Sequence, residues 1–127
     1  MTKFAFSAPN LAPPVGPYSP AVAATGFVFI SGQIGVDADG NVVGDGAAEQ
    51  AVAAMDNLRA LVLNTGLSMA DVVKTTIFLT DIADFAVVNE VYASYFQPPY
   101  PARSTVQVAA LPKGVKVEVE AIAMRGS

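Results

Sequence analysis

The stretch YPARSTVQVAALPKGVKVEVEAIA, residues 100–123, constrains the fold of this chain more than any other. Side chains along a β-strand point alternately to opposite faces, so a period of two marks a strand whose faces differ. Two such runs flank LPKG, and the sequence predicts a hairpin with Leu111 to Gly114 as its turn. Pairing Ala110 with Val115 sets Gln107 opposite Glu118 and Thr105 opposite Glu120, with Arg103 diagonal to Glu120. One face then carries Arg103, Thr105, Gln107, Lys116, Glu118 and Glu120, and the other Val106, Val108, Val117 and Val119. The valine face is expected to turn toward helices and the core. The polar face has two readings. It is either a solvated sheet face, where charge pairs contribute only ~0–1 kcal/mol each, or a cleft in which Arg103 grips one small carboxylate through its planar fork.

The rest of the chain supplies the layers around that pair of strands. FVFISGQIGV (27–36) reads as a strand, with Gly32 and Gly35 marking bulges or close backbone approach. Gly32 is either part of a bulge or a backbone N–H open to a ligand. Residues 46–65 read as a helix with Ala51, Met55, Leu58 and Val62 on one face, Asp45 as its N-cap and Gly66 as its stop. DVVKTTIFLTD (71–81) alternates as a strand. A second helix starts at Asp84, lines Phe85, Val88, Tyr92 and Tyr95 on one face, and ends at Pro98-Pro99. KFAF opens the chain as a short strand, NLAPPVGPYSP follows as a stiff proline loop, and DADGN is a turn. The order β-β-α-β-α-β-β predicts one α+β domain over residues 1–127: a two-layer mixed sheet with two helices on one face. The other sheet face is left to water or to a partner.

Composition narrows the chemistry. Charged residues make up only 14% of the chain, against about 25% in an ordinary domain. So little charge implies that part of the surface is covered by further copies of the chain. Seven scattered Lys and Arg against eleven Asp and Glu leave no basic stripe for a nucleic acid. Cysteine and histidine are absent, which removes disulfides, thiol nucleophiles, Ser-His and Cys-His pairs, and zinc sites built on those residues. No stretch has the length and apolarity of a membrane span. DADGNVVGD starts like a calcium loop but has Val42 at the glycine position and Ala48 at the closing glutamate, so it is a plain turn. SGQIG lacks the Lys-Ser/Thr ending of a phosphate loop. Asn89, one turn after Phe85, is either a buried hydrogen-bonding residue or a site residue. Tyr18, between two prolines, either packs or points its phenol into a cleft.

GPYSPAV (16–22), FISGQI (29–34), NLRALV (57–62), ADVVKTTIFLTDIADFAVVNEVY (70–92) and the 100–123 stretch together carry a resemblance over essentially the whole chain. The sequence resembles the Rid family, the YjgF-type reactive-intermediate deaminases, and within it the RidA branch that has an arginine at the position of Arg103. The resemblance implies a chorismate-mutase-like α+β fold, a homotrimer with ligand clefts between subunits, and no need of a cofactor or metal; the absence of cysteine fits a cytoplasmic protein. The implied reaction is hydrolysis of enamines and imines, such as 2-aminoacrylate, 2-iminopropanoate and 2-iminobutanoate, to 2-keto acids and ammonia. Carried over by position, Arg103 would clamp the substrate carboxylate and Glu118 would position water and move its proton. The main chain at Thr105 would hold the water or the imine, and Tyr18, Ser31, Gly32 and Asn89 would shape and polarise the cleft. Glu120 lies on the same face as Glu118. Many relatives carry cysteine where this chain has Thr105, which rules out thiol chemistry here. Two other functions stay in view: a non-catalytic module that binds 2-keto acids or similar metabolites, and an endoribonuclease, which the acidic balance and missing histidine oppose.

Overall fold

The computed structural model describes residues 2–125. Within them run β1 (Phe4–Phe6), β2 (Ala21–Ala24), β3 (Phe27–Ile34), α1 (Ala47–Asn64), β4 (Val72–Leu79), α2 (Phe85–Ala93), β5 (Ala102–Gln107) and β6 (Val117–Met124). The strands form one mixed sheet in the order β1-β2-β3-β6-β4-β5. Both helices pack on one face of it, as the sequence predicts.

The core is the contact between α1 and the middle of the sheet. Met55, Leu58, Leu61 and Val62 of α1 are at most 1% exposed, as are Ile77, Leu79, Val117 and Val119 beneath them. A Cβ on Gly35 would lie 2.7 Å from the backbone oxygen of Gln50, so only glycine lets the chain pass the helix so closely. Gly66, at φ 86°, ends α1 as expected. The N-cap is Gly46 and not Asp45, and no side chain caps that end. The second helix stops at Ala93, five residues before Pro98, where Ser94 Oγ donates to the Val91 carbonyl (2.6 Å).

Two expectations about the strands fail. The sequence reading has no strand at Ala21–Ala24, yet β2 forms there and pairs antiparallel with β3. The connecting residues are Thr25 (φ 51°) and Gly26 (φ 87°). Two positive φ values in succession make the turn that suits a tight hairpin, but threonine seldom adopts one, so the signal is masked.

The larger correction concerns residues 100–123. The turn exists, with Lys113 (φ 58°) and Gly114 (φ 69°) in the left-handed region. The strands that leave it do not pair with each other. Strand β4 lies between them, parallel to β5 and antiparallel to β6. The β4–α2–β5 segment is a crossover connection, which returns the chain beside β4 on its far edge. Register then fixes the faces. Arg103, Thr105 and Gln107 sit beside Thr75, Ile77 and Leu79 and point toward the helix layer. Glu118 and Glu120 sit beside Phe78 and Thr76 on the open face. Val106 shares the open face with Phe78, contrary to expectation, whereas Val117 and Val119 face the helices as predicted. The single polar face read from the sequence is therefore split between the two sides of the sheet.

Part of the open face is apolar and has no cover among the described residues. Phe27, Phe29, Val106 and Met124 are 38–46% exposed there. Among the described residues no helix is long and apolar enough to cross a membrane.

Candidate functional site

The first half of the candidate site lies where β3 and β6 diverge. Pairing is regular up to Ile30 opposite Ala121, slips, and resumes at Gln33 opposite Val119. Ser31 and Gly32 fill that bulge. A cleft of about 610 Å³ opens over it, lined by Tyr18, Ser31, Gly32, Glu118 and Glu120, with residues 11–15 of the proline loop as an apolar wall. Ser31 fastens that loop: its N–H donates to the Pro20 carbonyl (2.9 Å) and its hydroxyl to the Ser19 carbonyl (2.7 Å). The serine hydroxyl therefore shapes the cleft by spending its proton on the loop. Tyr18, which follows Pro17, is half-exposed beside it.

Glu118 is the chemical centre of this half. Its carboxylate rests against Gly32 so closely that a Cβ built there would fall 2.0 Å from Oε2. Burial pushes its carboxyl above the ordinary 4.5, and the charge of Glu120 adds to the effect. Helix α1 braces the backbone on both sides. Asn57 Nδ2 donates to the Ile34 and Val36 carbonyls (3.0 Å each), past the bulge in β3. Gln50 Oε1 accepts from the N–H of Lys116 (2.7 Å), two residues before Glu118. At the mouth of the cleft the Lys113 ammonium donates to the Gly40 carbonyl and ties the two bounding turns together.

The second half lies on the other side of the sheet. The Arg103 guanidinium sits 4.9 Å from the Tyr92 ring centroid and 5.5 Å from that of Phe85. Tyr92 is anchored in turn by a 2.7 Å bond between its hydroxyl and Thr75 Oγ1. Its phenol is pushed above 10.0 by burial, against the opposing pull of the Thr75 bond and the Arg103 charge. Asn89 falls between Phe85 and Tyr92 at helical spacing and is partly buried. Among the described residues no carboxylate pairs with Arg103; the ion pair found is Arg59 with Asp56 (3.2 Å). A planar cation stacked on two rings, with its donors unpaired, is arranged to take a carboxylate from outside the chain.

The structure thus gathers Tyr18, Ser31, Gly32, Glu118 and Glu120 in one place and Arg103, Thr105 and Asn89 in another. It does not bring the two groups together within one chain. The sequence reading assigned Phe85 and Tyr92 to core packing and missed their support of Arg103. Their spacing with Asn89 on one helix face was the available signal. It missed the bracing by Gln50 and Asn57 as well, which only tertiary contact reveals.

Comparison with known proteins fits this description. The 2-iminobutanoate/2-iminopropanoate deaminase of Bos taurus is 50% identical over 113 residues, covering 88% of this chain and 82% of that one. The crystal structure of Escherichia coli TdcF with bound serine superimposes with a TM-score of 0.91 at 43% identity, covering 97% of this chain and 99% of that one. The E. coli YjgF structure gives a TM-score of 0.90 at 42% identity with the same coverage. The family profile described as Endoribonuclease L-PSP matches residues 9–125, so the chain belongs to that family, the Rid or YjgF family of reactive-intermediate deaminases.

Proposed function

We propose that this chain hydrolyses 2-imino acids and their enamine tautomers, among them 2-iminopropanoate, 2-iminobutanoate and 2-aminoacrylate, to 2-keto acids and ammonia. We place each active cleft between two copies of a homotrimer. The observation that carries the reading is Arg103: a half-buried guanidinium, stacked on Tyr92 and Phe85, with no carboxylate partner among the described residues. Because Glu118 faces the opposite side of the sheet, a cleft that uses both needs Arg103 from one copy and Glu118 from the next. The uncovered apolar sheet face and the low charge content support such an assembly.

The chemistry follows from the groups. Arg103 takes the substrate carboxylate in a bidentate fork and so fixes C2 in place. Water attacks C2 of the iminium while its proton passes to Glu118, leaving a neutral carbinolamine. Glu118 returns the proton to nitrogen, the C–N bond breaks, and the hydroxyl oxygen becomes the keto oxygen as its proton leaves with ammonia. Each iminium consumes one water and yields one keto acid and one ammonium ion. A carboxyl held above its ordinary pKa is the better proton acceptor, and such transfer contributes ~10²–10⁴-fold. The ribonuclease activity in the family description finds little support here: three carboxylates and one lysine line the cleft, and the chain has no histidine.

The test couples a serine or threonine dehydratase to this protein and follows keto-acid release with semicarbazide present to trap free imine. Wild type should speed release and Arg103→Ala should lose most of that effect while remaining folded. Wild-type turnover in Arg103→Ala would sink the assignment. No acceleration by either protein, with keto acid still bound, would favour a binding module.

A further inference from the structure

Among the described residues one buried side-chain polar atom has no hydrogen-bond partner: Oγ1 of Thr105. Burying a hydroxyl without a partner is costly, and native chains rarely tolerate it without a reason. The neighbours explain why none of the described residues satisfies it. Thr105 lies on the edge strand β5, with Ile77 beside it in register and Arg103 two positions earlier on the same side. Ile77 offers no polar side-chain group, and the guanidinium of Arg103 is drawn away onto the rings of α2.

The position matters as much as the missing bond. Two residues along a strand span about 6.6 Å. A carboxylate held by the Arg103 fork leaves C2, and the nitrogen bonded to it, within reach of Thr105. Thr105 is partly exposed as a residue, although its hydroxyl is covered. Hydroxyl and methyl share one Cβ, and a single step between staggered rotamers exchanges them. That step breaks no hydrogen bond among the described residues.

We infer that the Thr105 hydroxyl, and not its main chain alone, receives the substrate: Oγ1 accepts a hydrogen bond from the iminium N–H while Arg103 holds the carboxylate. The inference rests on the deaminase reading and deepens it. It makes Thr105 a direct contact of the reacting C=N group. A cysteine at this position offers only a weak acceptor, so the inference concerns chains that carry threonine here.

Thr105→Val removes the hydroxyl and keeps the branched shape, whereas Thr105→Ser keeps the hydroxyl. Both are compared with wild type in the coupled assay and by thermal melting. A hydrogen bond to a charged group accounts for about 10- to 100-fold, so Thr105→Val should lose that much in kcat/KM and Thr105→Ser should stay within about threefold of wild type. The valine protein should melt at or above the wild-type temperature, since it loses an unsatisfied atom and no bond. Wild-type kcat/KM in Thr105→Val overturns the inference and leaves the deaminase reading standing. An equal loss in valine and serine variants overturns it in favour of packing. A lower melting temperature in Thr105→Val overturns it too, because the hydroxyl then has a partner in the unliganded protein. Absence of acceleration by wild type itself overturns both.

Discussion

Mixing two inactive variants should restore activity if each cleft is shared between copies. Arg103 and Glu118 face opposite sides of one sheet, so no single chain can present both to one substrate. Arg103→Ala removes the carboxylate clamp and Glu118→Gln removes the proton acceptor with little change of shape. Each variant alone should turn over imine far more slowly than wild type. In a closed ring with heterologous contacts, every cleft draws one half from a copy and the other half from its neighbour. With equal, randomly mixed subunits, the Arg103 side is intact in half the clefts and the adjoining Glu118 side in half, so about one quarter of clefts are intact. The same arithmetic gives every mixed trimer one intact cleft and one that lacks both groups. Subunits are exchanged by dissociation and reassembly, or mixed rings are isolated with two different tags, and keto-acid release is measured. Recovery to about one quarter of wild type in the random mixture is the expected outcome. A mixture no more active than the average of its two components would refute the shared cleft, and with it the assignment of these two side chains to one reaction.

Two further outcomes follow from the seat of Glu118. Gly32→Ala introduces a Cβ whose three nearest neighbours are all side-chain atoms of Glu118, so that side chain must move while the fold persists. Circular dichroism should be unchanged and kcat/KM should fall by about 10²-fold, the scale of an ångström-sized misplacement; full activity would show that the Gly32 contact is incidental. The raised carboxyl of Glu118 makes the folded chain bind its proton more tightly than the unfolded chain, so stability falls as pH rises above 4.5 toward the folded value. Glu118→Gln should therefore melt higher than wild type at pH 7, with the difference fading as pH drops below 4.5, and a lower melting point at pH 7 would contradict the burial of the charged form.

Both helices and strands β3 and β4 are legible in the sequence because each carries its own period and its own stop, such as Gly66 after α1. The relation between strands is not. Alternation fixes which residues of one strand share a face, but it says nothing about which face that is relative to another strand. That parity is set by register, and register depends on β4 lying between β5 and β6. The resemblance supplied Arg103 and Glu118 as partners in one reaction, and a hairpin reading placed them on one face. The fold keeps them apart, and there is a physical reason to do so. A guanidinium next to Glu118 in the free chain would pair with it, pull its carboxyl down into the ordinary acidic range, and occupy the donors meant for substrate. With Arg103 on the far face, Glu118 sees only burial and Glu120, both of which raise it. Among the described residues the Arg103 guanidinium has no carboxylate partner and rests on aromatic rings, which hold its plane without filling its fork. In the proposed homotrimer the two halves meet at a shared cleft, where the substrate's own carboxylate would take the guanidinium and leave Glu118 free to move a proton.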